Sequence, residues 1–488
     1  MDADYVRGSG EGVHYVAVDL GAESGRVIVG TLRNGRVDLD EVHRFPNRAV
    51  RLPDGLHWNV LRLYSEVLVG LGAASRRYGS TLASIGVDSW AVDYALLDGE
   101  GRLLGAPFSY RDARTDGVRE RLAQRVDLST LYVRTGIAPL PFNTIYQLGA
   151  QVEHGDPILP VARTMLLLPD LLHYWLCGAQ AAEYTNATTT GMLGLDGAWA
   201  HDLLDRLGLP GRLAPPIIAP GTRLGKLLPA VAAECGLGAV DVVAPATHDT
   251  ASAVAAVPMV ADGLTHAYIS SGTWSLLGLE LRAPVTTEEA RLAGFTNEGG
   301  VDGTYRFLTN IMGLWLVQES RRAWAREGLD LGYDELTARA GASPPTGIVI
   351  DVDDAALLHP DDMPAALRRQ IVWSGQEAPD DPVVLVRAIL ESLARRYAEA
   401  LREAERLAGV FVATVHIVGG GSRNGVLCQL AADAVGLPVE AGPVEATALG
   451  AVLVQAMSDG RVAGLEEARV MARRDGGIKR YLPGRTLR

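Results

Sequence analysis

The same short arrangement occurs twice in the chain: a strand pattern, a turn of small residues and a second strand pattern. It is present in VAVDLGAESGRVIVG near the start and in AYISSGTWSLLGLEL at residues 267 to 281. Each copy lies near the front of one half of the chain, which predicts two related domains. A boundary near Pro258 divides the sequence into domains at residues 1–257 and 258–488. The total of 488 residues also exceeds what one compact core usually holds.

Around these two hairpins, short β-branched runs alternate with longer helical patterns that are rich in alanine and leucine. Strands are predicted at HYVAVDL, SIGVDSW, VDVVAPATH, HAYISSG and TVHIVGGG. Helices are predicted at NVLRLYSEVLVGLGAASRRY, VVLVRAILESLARRYAEALREAERLAG and NGVLCQLAADAVG. The alternation of the two patterns is typical of the α/β fold class.

The charge balance limits the kinds of partner. The chain has 45 Lys and Arg against 58 Asp and Glu, a net charge of -13, which argues against a nucleic-acid surface and a basic membrane-docking face. The three cysteines, Cys177, Cys235 and Cys428, lie far apart and are predicted to be free thiols. The N-terminal MDADYVRGSGEG lacks the apolar stretch of a signal peptide, and no run is long enough to span a membrane. We therefore expect a soluble cytoplasmic protein.

The first turn has the composition of an anion site. Small side chains let backbone N–H groups approach a phosphate closely. Arg26, just after the turn, can offer a planar fork to phosphate oxygens, and Asp19, just before it, is placed to hold hydrated Mg²⁺. An ordinary β-hairpin explains either turn alone about equally well. The small residues of this turn are Gly21, Ala22, Ser24 and Gly25.

Two further segments repeat this small-residue chemistry. The turn from Ser270 to Thr273 has hydroxyl groups but no charges, and with the first turn it could hold a polyphosphate. VHIVGGGSRNG follows a strand and opens a helix, but Asn424 stands where the third glycine of a dinucleotide fingerprint would fall. Gly420 and Gly421 instead suggest a platform for a nucleotide base, with a plain packing turn as the alternative.

APATHDTASAV places Asp249 between a predicted strand and an alanine-rich helix. Capping of that helix is the more ordinary role for an aspartate followed by Thr, Ala and Ser. A carboxylate at a strand-to-helix junction is also positioned to receive the proton of an attacking hydroxyl in phosphoryl transfer. His248 and Thr250 beside it could bind polar groups of a substrate.

SIGVDSWAVDYALLDGEG suggests a sugar site, because Trp90 offers an aromatic face beside Asp93. Asp88 and Asp93 could also suggest the carboxylate pair of a glycosidase. Five residues apart on a strand, however, they would point to opposite faces. Asn310 and Trp315 in TNIMGLWLVQES are predicted to lie on a helix.

Taken in order, eleven segments resemble the FGGY carbohydrate kinases through almost the whole chain, most weakly at about 196 to 240 and 325 to 385. The segments are DLGAESGRV, IGVDSWAVDY, YRDARTDG, LPFNTIYQL, EYTNATTTG, HDTASAV, SSGTWSLLG, TNEGG, NIMGLWLVQ, HIVGGGSRN and AGPVEATALG. The resemblance implies two actin-like (ribonuclease H-like) domains, each with a central sheet flanked by helices, and an interdomain active-site cleft. It further implies phosphorylation of L-rhamnulose by MgATP, giving ADP and L-rhamnulose 1-phosphate.

The resemblance also implies roles for individual residues. Asp249 matches the proton acceptor, and Asp19 would hold Mg²⁺ through water. The nucleotide positions are Ala22, Glu23, Ser24, Gly25, Arg26, Thr273, Gln318 and Gly420, and the sugar positions are Ala91, His248, Asp249, Thr250 and Asn310. Glu23 stands where the family often has a small residue, and Ala91 stands where glycine is usual.

Two other functions are compatible with the sequence. One is an FGGY kinase for another ketose or polyol, such as L-fuculose or a ribulose. The other is a nucleotide-dependent sensor or assembly protein, since actin-like folds also hydrolyse ATP without phosphorylating a substrate. The expected partners are a small sugar and ATP, with no nucleic acid and no membrane, and the sequence leaves the oligomeric state open.

Overall fold

A computed structural model describes residues 12–79, 82–358 and 360–484. The N-terminal segment that lacks a signal-peptide pattern therefore lies almost wholly outside the described residues. The described chain divides into two compact units. The first takes residues within Met1–Ala256, Glu298–Thr304 and Thr447–Asp475, and the second takes Val257–Asn297, Tyr305–Ala446 and residues after Gly476. The chain thus first leaves unit 1 at residue 257, and it returns to that unit twice.

Each unit contains one large mixed sheet. In unit 1 the strand order is β11-β12-β6-β1-β2-β3, and the second sheet has the order β15-β16-β14-β13-β17-β18-β19. The strands are β1 Val13–Leu20, β2 Ser24–Arg33, β3 Arg36–Pro46, β4 Val50–Leu52, β5 Gly55–His57, β6 Leu82–Ser89, β7 Tyr94–Leu97, β8 Thr164–Leu167, β9 Ala182–Glu183, β10 Ile217–Ile218, β11 Thr222–Lys226, β12 Asp241–Ala244, β13 Thr265–Ser271, β14 Trp274–Leu281, β15 Thr296–Gly299, β16 Tyr305–Met312, β17 Val412–Val418, β18 Val439–Ala441 and β19 Lys479–Tyr481.

The two large sheets share one pairing pattern. In unit 1, β1 pairs antiparallel with β2 and parallel with β6, and β2 pairs antiparallel with β3. In unit 2, β13 pairs antiparallel with β14 and parallel with β17, and β14 pairs antiparallel with β16. Each sheet continues with one more parallel strand and then an antiparallel one. The repeated hairpins of the sequence therefore occupy equivalent places in two similar sheets.

The described helices are α1 Val60–Tyr78, α2 Val118–Ala123, α3 Leu128–Thr135, α4 Thr144–Glu153, α5 Leu168–Cys177, α6 Tyr184–Thr189, α7 His201–Leu207, α8 Pro229–Cys235, α9 Asp249–Ala255, α10 Glu288–Leu292, α11 Trp315–Arg326, α12 Tyr333–Ala342, α13 Met363–Trp373, α14 Pro382–Ala408, α15 Gly425–Val435, α16 Ala446–Ser458 and α17 Leu465–Asp475. Several of them pack on the two large sheets, including α1 and α5 in unit 1 and α14 and α15 in unit 2. The mixture of sheets and helices confirms the predicted α/β class.

The helix ends follow local sequence signals. Asn59 caps α1 by accepting a hydrogen bond from the backbone N–H of Arg62 at 3.1 Å. Asp381 caps the long helix α14 in the same way, Pro382 is its first residue, and Gly409 ends it in the left-handed conformation. The amphipathic face of α14 is buried in unit 2, which explains its strong helical periodicity.

The five strand predictions and the three helix predictions are confirmed by β1, β6, β12, β13 and β17 and by α1, α14 and α15. One assignment was wrong. Asn310 lies on strand β16 rather than on a helix, and only Trp315 begins helix α11. The segment TNIMGLWLVQES joins the end of a strand to the start of a helix at Gly313, and its continuous apolar residues hide that change.

Candidate active site

The first small-residue turn joins β1 to β2 and is braced from the end of β3. The backbone N–H of Gly21 donates to the carbonyl of Ser24 at 2.8 Å and closes the turn. Asn47 donates its side-chain amide to the Gly21 carbonyl at 2.9 Å and its backbone N–H to the Glu23 carbonyl at 2.9 Å. The turn is therefore held in one conformation by a residue that the sequence did not single out.

The two glycines of this turn have different surroundings, which explain in different ways why a larger residue would not fit. A Cβ on Gly25 would come within 2.4 Å of two ring carbons of Phe45, so this glycine lets the ring pack against β2. A Cβ on Gly21 would meet only the Ser24 carbonyl, at 3.2 Å. The carbonyl inside the turn therefore limits the side chain at Gly21, whereas the packing of Phe45 limits it at Gly25.

Two aspartates face each other across β1 and β6. Asp19 and Asp88 are register partners in the parallel pair, and Asp19 forms an ion pair with Arg26. Asp88 is fully buried, and neither of its carboxylate oxygens accepts a hydrogen bond within the described part of the chain. Burial, and then the charges of Asp19 and Asp249, raise the pKa of Asp88 well above its ordinary value.

Asp249 is the first residue of α9, which follows β12 after a connection at residues 245–248, and His248 occupies the N-cap position. Its Oδ1 accepts hydrogen bonds from the backbone N–H of Thr250 at 2.6 Å and from the Thr250 hydroxyl at 3.2 Å. The Asp249 side chain is 30% exposed. Burial raises the pKa of Asp249, the charge of Asp19 adds to the rise, and His248 opposes it.

The junction that carries Asp249 lies beside the end of β6. The backbone N–H of Ser89 donates to the Thr247 carbonyl at 2.9 Å, and Ser89 forms an isolated parallel bridge with His248. The carboxyl ends of β1, β6 and β12 therefore bring Asp19, Asp88 and Asp249 into one region of unit 1. In open α/β sheets, ligands bind at this end of the strands.

Sequence reasoning missed a buried carboxylate that holds the same junction. Glu183 accepts hydrogen bonds from the backbone N–H and the hydroxyl of Thr247, each at 2.9 Å. It also accepts from the backbone N–H of Thr185 at 2.9 Å and from the Thr185 hydroxyl at 2.6 Å. The Thr185 hydroxyl in turn accepts from the backbone N–H of His248 at 3.3 Å. In the sequence, Glu183 lies in EYTNATTTG, one of the segments that resemble the FGGY kinases, but the sequence predicted no role for it.

Asp93, which the sequence suggested for a sugar site, is structural. Its Oδ2 accepts hydrogen bonds from the indole N–H of Trp58 at 2.6 Å and of Trp90 at 2.9 Å. Its Oδ1 accepts from the amide of Gln147 at 3.0 Å. Asp93 and Asp88 do not share a strand, because β6 ends at Ser89. Burial raises the pKa of Asp93 to about 6, although these three donors lower it.

Ala91 lies in the short strained segment between β6 and β7. The next residue, Val92, has φ 68°, a left-handed conformation that β-branched residues rarely adopt. The Thr144 hydroxyl donates to the Val92 carbonyl at 2.6 Å, and Gln147 donates to it at 3.3 Å. Strained backbone of this kind is concentrated at functional sites, which supports a role for this segment.

The second small-residue turn joins β13 to β14 in unit 2. The backbone N–H of Gly272 closes it by donating to the Trp274 carbonyl at 2.8 Å, and Gly313 and Trp315 both donate to the Thr273 carbonyl, at 3.1 and 3.2 Å. Gln318 lies one turn into α11. Its Oε1 is buried and accepts no hydrogen bond from the described residues, which is uncommon for a buried polar atom.

The third glycine cluster lies beside the second turn, because β13 and β17 are parallel neighbours. A Cβ on Gly421 would lie 2.0 Å from the hydroxyl oxygen of Ser271, and Gly419 has φ 81°. These two glycines therefore have backbone and packing explanations. A Cβ on Gly420 would meet none of the described atoms within 4 Å, so this residue faces open space.

The structure divides the predicted site residues between the units. Asp19, Ala22, Glu23, Ser24, Gly25, Arg26, Ala91, His248, Asp249 and Thr250 belong to unit 1, and Thr273, Asn310, Gln318 and Gly420 belong to unit 2. Asn310 pairs with Leu276 on β14, the strand that follows the second turn.

Three further observations concern the cysteines, metal-binding clusters and membrane-spanning helices. Cys177, Cys235 and Cys428 are free thiols, as predicted. The described ranges contain no group of three or more His, Cys, Asp or Glu side chains arranged to hold a metal ion. None of the described helices is long and apolar enough to cross a membrane.

Two models of one protein family match this chain. The model of the FGGY family of carbohydrate kinases, N-terminal domain, matches residues 14–256, and that of its C-terminal domain matches residues 267–458. The chain belongs to the FGGY family of carbohydrate kinases. It is therefore a carbohydrate kinase, and sugar kinases of this family use ATP.

Full-length relatives within the FGGY family are similar in sequence. A rhamnulokinase of Bacteroides thetaiotaomicron is 41% identical over 476 residues, which cover 96% of each chain. A rhamnulokinase of Pectobacterium carotovorum is 43% identical over 471 residues, covering 96% of this chain and 92% of that one.

A solved structure shows the same fold. Gluconate kinase from Lactobacillus acidophilus superposes with a TM-score of 0.79, at 16% identity, over 97% of this chain and 94% of its own. At that identity the likeness concerns the fold alone, and it confirms the two-domain, actin-like architecture expected from the sequence.

Proposed function

We propose that this FGGY kinase is a rhamnulokinase, which phosphorylates L-rhamnulose at O1 with ATP to give L-rhamnulose 1-phosphate in L-rhamnose catabolism. The observation that carries the choice of sugar is the identity of 41% and 43% to proteins named rhamnulokinase, over 96% of this chain in both cases. Kinases that match only in fold do not offer such support.

Asp249 is the proposed general base. It is partly exposed, it lies at the carboxyl ends of the central strands, and burial raises its pKa above the ordinary value, the direction that makes a carboxylate a stronger base. Asp249 accepts the proton of the C1 hydroxyl while that oxygen bonds to the γ-phosphorus. The bond from this phosphorus to the bridging oxygen of ADP breaks in the same step, so the C1 oxygen loses its proton to Asp249 and gains the phosphoryl group, and ADP leaves.

The other site residues have binding roles in this proposal. The sugar would be held by Ala91, His248, Thr250 and Asn310. The nucleotide would be held by Ala22, Glu23, Ser24, Gly25, Arg26, Thr273, Gln318 and Gly420. Support for single positions comes from the open space at Gly420 and from the buried Oε1 of Gln318, which accepts no hydrogen bond from the described residues. The backbone N–H groups of the turns and the guanidinium of Arg26 would be the donors that stabilise the charge developing on the transferring phosphoryl group.

Mg²⁺ is the proposed divalent cation. The chemistry of the donors fits it, because Asp19 offers carboxylate oxygens and the adjoining Asp88 leaves two buried oxygens without hydrogen bonds from the described residues. Asp19 would hold the ion through water, and Arg26 is its present partner. When bound, the ion would neutralise phosphate charge.

A panel of ketoses tests the function. We expect L-rhamnulose to give the highest kcat/KM, with one ADP released for each sugar phosphate formed. Faster turnover of L-fuculose or a ribulose would assign the chain to another sugar of the same family. Release of inorganic phosphate without any sugar phosphate would instead support the actin-like sensor or assembly function.

Replacement of the base is the first mutational prediction. Asp249→Asn keeps the size of the side chain but cannot accept the proton, so kcat should fall by about 10²- to 10⁴-fold. ATP binding, measured by calorimetry, should remain close to that of the unmodified enzyme. A variant with near-normal kcat would contradict the assignment of Asp249.

A further inference from the structure

The segment TNEGG brings a second acidic side chain to the proposed base. Glu298, at the end of β15, is counted with unit 1, as are His248 and Asp249. The Nδ1 atom of His248 lies 3.2 Å from Oε2 of Glu298, and its Nε2 atom lies 3.5 Å from Oδ1 of Asp249. One imidazole ring thus stands between two carboxylates, one of them the proposed base.

The outer end of this row is buried and fixed. The side chain of Glu298 is 10% exposed and that of His248 is 7% exposed, against 30% for Asp249. The backbone N–H of Gly299 donates to the Thr188 hydroxyl at 2.9 Å, which anchors the strand next to Glu298. The row therefore runs from a protected carboxylate to a carboxylate that solvent and substrate can reach.

The two carboxylates influence where the imidazole ring of His248 carries its protons. The contact between Nδ1 of His248 and Oε2 of Glu298 is an ion-pair contact and not a hydrogen bond in the observed ring orientation. The negative charge of an ionised glutamate favours a proton on the ring nitrogen that lies nearer to it, which is Nδ1. It also balances the positive charge of a doubly protonated ring, whose Nε2–H then faces Asp249.

We propose that Glu298 is a positioning residue of the phosphoryl-transfer site, which holds the His248 ring through Nδ1 so that Nε2 faces the carboxylate of Asp249. Glu298 forms no covalent bond in the reaction and takes no proton from the sugar. Its effect is to fix the orientation and charge beside the base, and thereby to keep Asp249 ionised and directed at the substrate hydroxyl. This role rests on the proposed function of Asp249.

Glu298→Gln tests the proposal, because it keeps the shape of the side chain and removes its charge. We expect kcat to fall by about 10- to 100-fold, by analogy with the loss of a carboxylate that orients a metal-ligating histidine. The KM for ATP should stay unchanged, since the residue does not act on the nucleotide. Glu298→Asp, which restores a carboxylate, should recover part of the lost kcat.

A double variant separates positioning from a general loss of stability. If Glu298 acts through His248, then Glu298→Gln should lower kcat no further in a His248→Gln background. An equal fall in both backgrounds would overturn the proposal. Glu66→Gln is the matched control, because Oε2 of Glu66 lies 2.8 Å from Nε2 of His43, a similar contact elsewhere in unit 1. Its kcat should equal that of the unmodified enzyme.

A spectroscopic measurement makes the proposal independent of the sugar. In protein with ¹⁵N-labelled histidine, the His248 signals are those lost in His248→Gln. We expect Nδ1 of His248 to be protonated, and its shift to change in Glu298→Gln but not in Glu66→Gln. An unprotonated Nδ1, or a shift unaffected by Glu298→Gln, would overturn the positioning role. If L-rhamnulose were not phosphorylated while these shifts appeared as expected, only the proposed function would fail.

Discussion

Four aspartates of unit 1 differ in what surrounds their carboxylates. The carboxylate of Asp93 accepts hydrogen bonds from two indole N–H groups and one side-chain amide, and that of Asp19 forms an ion pair with Arg26. Asp88 is buried without a hydrogen bond from the described residues, whereas Asp249 is partly exposed. A carboxylate whose lone pairs are all engaged is suited to structure, and one with a raised pKa and access to solvent is suited to proton transfer.

Asp88→Asn tests the cost of the buried charge. Because the pKa of Asp88 is raised in the folded state, the penalty for ionising it is absent below the unfolded pKa of about 3.9 and fully present above the folded pKa. We expect the variant to unfold at a higher temperature at pH 8, by about 2–4 °C for each 1 kcal/mol gained. The gain should shrink as the pH falls toward 4.

Scanning calorimetry at several pH values measures this effect. Asp205→Asn, at an exposed position of α7, is the control and should leave the unfolding temperature unchanged at every pH. A gain for Asp88→Asn that was equal at pH 4 and pH 8 would show that charge is not its origin.

At the scale of elements, the junction between β12 and α9 depends on a short segment in another part of the unit. Glu183, the last residue of β9, accepts hydrogen bonds from the backbone N–H and the hydroxyl of both Thr247 and Thr185. Four donors stabilise the ionised carboxylate and oppose the rise in the pKa of Glu183 that burial causes. The position of Asp249 is thus set by hydrogen bonds that lie one and two residues before it.

Glu183→Gln would replace an acceptor oxygen with an amide N–H₂ that faces other donors. We expect unit 1 to lose about 1–3 kcal/mol of stability, the penalty for an unsatisfied buried polar group. We also expect a lower kcat at temperatures where the variant remains folded, because the backbone of Thr247 and His248 would shift. Thermal unfolding and steady-state kinetics measure the two effects.

Glu153→Gln is the control for this prediction. Glu153 forms a surface ion pair with Arg121, and such pairs contribute about 0–1 kcal/mol. A Glu183 variant as stable and as active as this control would show that the four hydrogen bonds do not hold the junction.

At the scale of the whole molecule, local sequence patterns predicted the features that depend on interactions between residues close together in the chain. The repeated hairpins, the glycine turns and the capped helices were visible because period, turn chemistry and caps act over a few residues. The two sheets with the same pairing pattern follow from them. The roles proposed for Asp249 and the turn residues came from the resemblance to a family and stay predictions.

The residues that were missed depend on contacts that are distant in sequence. Glu183 and Glu298 act on the segment at His248 from other parts of the chain, and no local pattern indicates such pairing. Asn310 was misplaced because the apolar residues around it continue from a strand into a helix. Gly25 and Gly421 were interpreted as ligand contacts, while Phe45 and Ser271 supply packing reasons that only the structure reveals.

The last prediction concerns α16, nearly all of which belongs to unit 1 although it follows a long segment of unit 2 in the chain. Gln455, on α16, is fully buried; its amide donates to the Val16 carbonyl at 3.1 Å, and its oxygen accepts from the Ser84 hydroxyl at 2.7 Å. A C-terminal helix therefore satisfies polar groups of β1 and β6, the strands that carry Asp19 and Asp88. Gln455→Leu keeps the volume but removes both hydrogen bonds and leaves the buried Ser84 hydroxyl without this acceptor, so unit 1 should lose about 1–3 kcal/mol.

Calorimetry combined with thermal inactivation distinguishes this effect from a change confined to unit 2. The calorimetric transition and the loss of kinase activity should both move to lower temperature in Gln455→Leu, because the proposed base lies in the destabilised unit. Gln429→Leu is the control: its amide bonds Asp433 and the Leu482 carbonyl near the surface of unit 2, so its effect should stay within about 0.5 kcal/mol. Equal shifts in the two variants would mean that the interaction of α16 with β1 and β6 does not stabilise unit 1.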